Sequence, residues 1–533
     1  MRRGVSWASY CALGLTLFFS GCAQPEEPAD FVIVNGSEPE SLDPAIITGQ
    51  AESRIVRCLF EGLVRLDPKN ASPVPGIADK WDILEDGNVY VFHLRSNAVW
   101  STGRPITAED VVYSWKRVLE PATAADYAGQ LYFVKNAEEY NTGKLKDFEQ
   151  VGVKAVDART VRVELVGPTP FFLDLCAFTT LAVVPRWTIE KYGDRWLTSE
   201  NLPSSSTHVL ESWRIQDKVR IRKNPLHWDA KNVQNEIVDF LPMDSAMTAM
   251  NLYESRQADI LWDKTLIPSE LMDVLSKRED CHRFDYLGTF FMRFNTTRKP
   301  FDDPRVRKAL ALVIDKKRIV ERITRGGERP ADHFVPKGMV VYDPPPGLGY
   351  DPELARKLLA EAGFPGGKGF PSFQYLSKTG KQDEQIGVEI QAMFKEHLGI
   401  NMELNQKEWK VYLSAQGKLD FDVSRSSWIG DYNDPNTFLD MFMSNNGNNR
   451  TGWKSVKYDD LIREGNLKVD PQEREKILQQ AEILLVREET IIAPIYFYAG
   501  INFYRPDELT GIYPNLLDEH PIWAIRRVKR GSN

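Results

Sequence analysis

The chain has 533 residues, 42% hydrophobic and 27% charged, with 67 basic and 75 acidic side chains and a formal charge of -8. That composition excludes a disordered, collagenous or coiled-coil chain, and the acidic balance gives no basic face for a nucleic-acid backbone. The length allows three domains, or two large ones with an insertion, and a core of that size needs no disulfide staples.

The N-terminus reads as an address. Arg2 and Arg3 precede a mostly apolar stretch over 5–19, which ends in Phe19-Ser20-Gly21-Cys22. A positive start, an apolar middle and small residues at the end are the three parts of a secretory signal. The cysteine resembles a bacterial lipobox, in which Cys22 is acylated and becomes the new N-terminus. Residues 1–21 are therefore expected to be a lipoprotein signal peptide and 22–30 a polar tether. Loss of Arg2 and Arg3 makes the mature chain two units more acidic. No later segment reaches about 18 apolar residues, so the expected membrane contact is the lipid anchor alone. Of the other cysteines, Cys11 leaves with the signal, while Cys58, Cys176 and Cys281 have no metal-ligand spacing. Cys58 and Cys176 stand in apolar runs and are expected as buried thiols.

Strands and helices then alternate, with no internal repeat. Phe31-Val-Ile-Val34, Val89-Tyr-Val-Phe-His-Leu94, Val161-Arg-Val-Glu-Leu165 and Val219-Arg-Ile-Arg222 read as strands. Thr107-Ala-Glu-Asp110 is a capping box before a helix over 111–119. Asp303-Pro-Arg305 and Asp351-Pro-Glu353 each place proline at the first helical position, and Gly363 stops the second helix. Near the end, residues 494–497 form a further strand that could share a sheet with 31–34 and bring the termini into one lobe. The pattern is that of α/β lobes.

No catalytic motif is found. The seven histidines are scattered, and there is no His-Glu-x-x-His, nucleophile elbow, Walker loop or dinucleotide fingerprint. The glycine-rich run at 363–369 follows a helix instead of opening one and reads as a loop. Residues 409–434 instead gather Trp409, Tyr412, Arg425, Trp428, Asp431, Tyr432 and Asp434. Phe421-Asp-Val-Ser-Arg425 alternates like a strand that continues through Ser426, Ser427 and Trp428, and Asp431 to Pro435 is a turn into a helix. A strand edge followed by a carboxylate suits an extended ligand with a positive end. The plainer reading puts both tryptophans in the core, has Asp431 capping the turn and sets Arg425 in a structural ion pair.

Several stretches, in order, resemble the oligopeptide-binding proteins of bacterial ABC importers. They are Glu40-Ser-Leu-Asp-Pro44, Cys58-Leu-Phe-Glu-Gly-Leu63, Ala78-Asp-Lys-Trp81, Trp100 to Trp115, Lys223 to Trp228, Phe301 to Leu310, Glu408-Trp409 and Ser424 to Pro435. The resemblance implies a periplasmic-binding-protein-like α/β receptor, a monomer without cofactor or metal. Two lobes would close on an extended peptide and hand it to membrane permease subunits. It divides the chain into domain I (31–60, 185–285 and 498–530), an inserted domain II (61–184) and domain III (286–497). It assigns the ligand's α-ammonium to Asp431 and main-chain pairing to Ser426, Ser427 and Trp428, and across the cleft to Thr48, Gly49 and Gln50. A ligand carboxylate falls to Arg425, and Trp409 and Tyr127 line the site.

The departures are specific. Thr48 replaces a common Glu. Asp383 stands where a His can receive the ligand carboxylate, and would repel one. Ser205-Ser-Thr-His208 replaces Asn-Gly-x-Tyr, and Gly288 and Ile429 occupy the places of a disulfide near the site. Murein peptide, dipeptide, a nickel chelate or haem on the same fold is the nearer alternative cargo. A secreted hydrolase is the alternative from another class.

Overall fold

The computed structural model describes residues 26–528 apart from positions 170, 263, 340, 341 and 469. The lipidation expected at Cys22 lies outside the described residues.

One eleven-stranded mixed sheet runs through the molecule. Its spine is a pair of long antiparallel strands, Cys281–Phe294 and Ile492–Tyr504. On one side of the spine lie Ile260–Leu261, Phe31–Val34, Ile237–Leu241, Lys218–Lys223 and His208–Arg214, in that order. On the other lie Val423–Ile429, Phe373–Lys378 and Met402–Lys407. Both long strands therefore serve two lobes. Their pairing runs from Cys281 opposite Phe503 to Arg293 opposite Ile492, and its register slips between Asp285 and Thr289. A slip leaves residues unpaired and bends the ribbon, so the crossing between lobes is where the ladder is least regular. The expected sharing of one sheet by the first and last strands holds: only Ile260–Leu261 stands between Phe31–Val34 and Ile492–Tyr504.

A separate four-stranded antiparallel sheet, in the order Ala78–Leu84, Val89–Leu94, Thr160–Glu164, Val153–Asp157, forms with helix Ala108–Leu119 a third body. Its own core contains Phe92, Trp100, Trp115 and Phe172.

The expected helix starts are present. The Thr107 N–H donates to the Asp110 carboxylate at 2.9 Å. Asp303 accepts from the Arg305 N–H at 2.8 Å before Pro304–Leu312, and Asp351 from the Leu354 N–H at 3.0 Å before Pro352–Glu361. Each cap satisfies an amide that the helix start leaves without a partner. Gly363, at φ +98°, follows the second helix. Cys58 and Cys176 are buried, and burial pushes both thiols up. The serines and threonine before His208 are buried as well. Ser205 and Ser206 donate to the carbonyls of Val183 and Arg57, which keeps the altered entry to strand His208–Arg214 satisfied. Gly288 and Ile429 face each other in register. A Cβ on Gly288 would stand 2.4 Å from the Ile429 Cδ1, so the isoleucine fills the space a disulfide would use.

Candidate functional site

Strand Val423–Ile429 is paired with Cys281–Phe294 along its whole length, from Gly288 opposite Ile429 to Phe294 opposite Val423. On its other side Phe373–Lys378 reaches only Val423 and Ser424. Residues 425–429 therefore keep an open edge. Along an antiparallel pair, backbone groups point alternately to the two sides. The Arg425 carbonyl points to the open side, where the Tyr412 hydroxyl donates to it at 2.7 Å. Alternation then turns the Ser427 N–H and C=O to the same side. This edge faces a cavity between the lobes that is lined by Arg425, Ser426, Ser427, Trp428 and Asp431.

At the end of the strand the chain turns. The Gly430 N–H donates to the Leu287 carbonyl at 2.8 Å, and the Trp428 indole N–H to the Thr437 carbonyl at 2.6 Å. The capping role in this turn falls to Asp434, not Asp431. Asp434 accepts from the Asn436 N–H at 2.9 Å and from both terminal nitrogens of Arg474 at 2.7 and 2.9 Å. Asp431 uses its backbone N–H on the Thr437 hydroxyl, while its carboxylate Oδ2 is buried with no partner among the described residues. Burial, followed by the nearby Asp440, holds the Asp431 carboxyl well above the usual carboxylate range, and Arg57 pulls the other way. Asp440 is itself pushed up to about 8 by burial and Asp434. Ionising this group without a partner is expensive, so an incoming cation would be needed to hold it as a carboxylate.

Across the cavity, Thr48, Gly49 and Gln50 lead into helix Gln50–Leu59. Gly49 is extended, and the Gln50 amide donates to the Tyr286 hydroxyl at 2.6 Å, next to the register slip. Tyr127, from the third body, packs edge-on to Phe178 at 4.9 Å and lies 5.9 Å from Trp428. All ten residues expected at the site thus line one cavity.

Three features of this cavity were not legible in the sequence. The Trp409 indole N–H donates across the cleft to Glu52 at 3.1 Å. Glu52 is buried, its other oxygen has no partner among the described residues, and burial raises its carboxyl. Arg425 forms a buried ion pair with Asp383 at 2.7 Å. Asp383 therefore neutralises the cation assigned to a ligand carboxylate, and the ion pair of the plainer reading is real although Arg425 lines the cavity. Finally, Arg293 is a buried cation in the cavity wall with no carboxylate bonded to it among the described residues. Its one signal in the sequence is a lone charge in the apolar run 286–294.

The family model described as bacterial extracellular solute-binding proteins, family 5 Middle, matches residues 72–450. The chain belongs to this family. It is 36% identical over 483 residues to the periplasmic oligopeptide-binding protein OppA of Salmonella typhimurium, covering 89% of this chain and 88% of the relative. Its fold matches the Haemophilus influenzae OppA complex with the peptide RPPGFSPFR at a TM-score of 0.88, with 30% identity over 94% of this chain and 99% of that one. The unliganded open form of the murein tripeptide binding protein MppA is 31% identical and covers 94% and 98% of the two chains, yet its TM-score is 0.62. At nearly the same identity, this chain therefore fits the peptide complex more closely than the unliganded open form.

Proposed function

We propose that this chain is the extracytoplasmic receptor of a peptide importer. It holds an oligopeptide extended between its lobes and delivers it to membrane permease subunits. The observation that carries the reading is the Asp431 carboxylate. One of its oxygens, Oδ2, is buried without a partner among the described residues, and the group sits at the end of an open strand edge in the cleft. A peptide's α-ammonium supplies the counter-charge for Asp431, and its backbone pairs with the Ser427 N–H and C=O on the open edge. This is recognition by strand addition, in which main-chain bonds give affinity and side chains are read separately. Ser426 and Trp428 shape the edge, Thr48, Gly49 and Gln50 face it from the other lobe, and Trp409 and Tyr127 close the ends. Arg425 meets a ligand carboxylate only through the N–H groups that Asp383 and Ser427 leave, with its attraction reduced by Asp383.

The division into domain I (31–60, 185–285, 498–530), domain II (61–184) and domain III (286–497) belongs to the same proposal, with the hinge at the register slip. So does anchoring of a monomer through acylated Cys22, which Cys22→Ser should abolish. Wild-type protein recovered from the soluble periplasm without acyl chains would contradict the anchor. No chemistry on the ligand is proposed. Mass spectrometry of small molecules released when the purified protein is denatured tests the function. Peptides with free N-termini are expected. Haem, a metal chelate or N-blocked compounds would contradict the reading, and cleavage of added peptide on long incubation would favour a hydrolase.

A further inference from the structure

Arg293 lies on strand Cys281–Phe294 and is 3% exposed. Its Nη1 donates to the carbonyls of Asn448 and Asn449, both at 3.0 Å. Its Nε is buried without a partner, and no ion pair forms to it among the described residues. A second guanidinium, Arg450, lines the same cavity. Arg450 is bonded to Asp126 through one nitrogen, and its Nε is also buried without a partner. Among the described residues, Asp126 is the one carboxylate ion-paired to either cation, and it pairs with Arg450. After burial, the largest influence on Arg293 is repulsion by Arg450, and together they push its guanidinium down to about 9. Asp126 and the Tyr412 phenol act on it more weakly in the opposite direction. Of the nearby acids, Glu52 is turned to Trp409 and the Glu40 N–H, Glu40 is influenced by Arg450 without an ion pair to it, and Asp431, Asp518 and Glu519 also line the cavity.

A buried cation left without its counter-charge is the mirror image of the situation at Asp431. Proteins keep such groups where something else supplies the charge. A guanidinium offers paired N–H donors that match a planar carboxylate. The cavity receives Arg293 and Arg450 from the same lobe as the open strand edge, apart from Asp431 in role and opposite to it in sign.

We propose that Arg293 and Arg450 form a subsite for an acidic side chain of the bound peptide. The cleft then selects peptides that carry aspartate or glutamate at one internal position. This rests on the peptide reading above and adds a chemical class to it.

The test uses tetrapeptides of alanine with free N-termini, in which each position in turn carries Glu, Gln or Lys. Binding is measured by calorimetry on the wild type, Arg293→Gln and Arg450→Gln, with thermal unfolding of each variant as a check on folding. At one position the Glu peptide is expected to bind about ten- to a hundredfold more tightly than its Gln twin, as a hydrogen-bonded charge should, with the Lys peptide weakest. That ratio should fall toward one in either variant that folds. Should Arg293→Gln fail to fold, Arg450→Gln alone decides. Equal binding of Glu and Gln peptides at every position of the wild type overturns the subsite while leaving the peptide reading intact. A ratio unchanged in a folded Arg450→Gln variant also overturns it. Failure of every peptide in the series, the all-alanine reference included, overturns the peptide reading and the subsite with it.

Discussion

The charge balance of single residues sets the character of the cleft. Asp431 is a carboxyl whose proton is held by burial and by Asp440. A ligand ammonium favours its ionised form, so binding must expel that proton wherever the free site is still protonated. The sign follows: affinity for a peptide with a free N-terminus should rise with pH through the acid range and level off above the raised value. Calorimetry in buffers of different ionisation enthalpy should show proton release at the low end, and affinity that falls with rising pH would contradict the assignment. The same raised carboxyl bears on stability. A group whose folded pKa is raised destabilises the fold as pH climbs past its unfolded value. Asp431→Asn removes that penalty, so at neutral pH the ligand-free variant should unfold at the same temperature as wild type or higher. A clear drop in the thermal midpoint would mean that Asp431 serves the fold.

Elements bring these residues together, and here the sequence was readable unevenly. Strand Val423–Ile429 and the turn after it were legible because the alternation from Phe421, Trp428 and the run Asp431 to Pro435 lie within fifteen residues. The helix caps were legible because they are local. Which acid caps the turn was not, since Asp431 and Asp434 are both turn formers and only the contacts of Asp434 with the Asn436 N–H and with Arg474 separate them. Asp383 was recognised as a departure, but its pairing with Arg425 spans 42 positions and no periodicity predicts it. Arg293 and Glu52 carry no motif at all. The contact of Trp409 with Glu52 joins the first turns of two helices, Gln50–Leu59 and Trp409–Gly417, across the cleft. It therefore exists only when the lobes are shut. Trp409→Phe keeps the ring and removes the donor. Peptide affinity should fall about fivefold, the worth of one such bond at about 1 kcal/mol, while ligand-free stability stays unchanged. An equal loss of stability would place this contact in the fold instead of the closure.

At the scale of the whole molecule, one sheet carries two lobes beside the third body, with the proposed hinge at its register slip. Closure brings the third body and the second lobe together through Arg450 on Asp126 and Arg463 on Glu138. Lys381 on Glu270 and Arg325 on Asp273 join the first and second lobes. Gly447 is packed so closely that a Cβ would stand 2.7 Å from the Asp126 Cα. These contacts are mostly exposed ion pairs, each worth little in water, so the closed form needs a ligand to hold it. Small-angle scattering should show a smaller radius of gyration with a peptide mixture than without. An unchanged radius at saturation would contradict hinge closure.

The central claim is that Asp431 receives the peptide's N-terminus, and titration calorimetry tests it with one tetrapeptide in free and N-acetylated forms on wild type and Asp431→Asn. The wild type should bind the free form and lose most of that affinity on acetylation. The variant should bind the free form about thirty- to several-thousandfold more weakly, the cost of about 2–5 kcal/mol for enclosing a charge without its partner, and should hardly distinguish the two forms. A variant that binds the free peptide as tightly as wild type, or a wild type indifferent to acetylation, would contradict the claim.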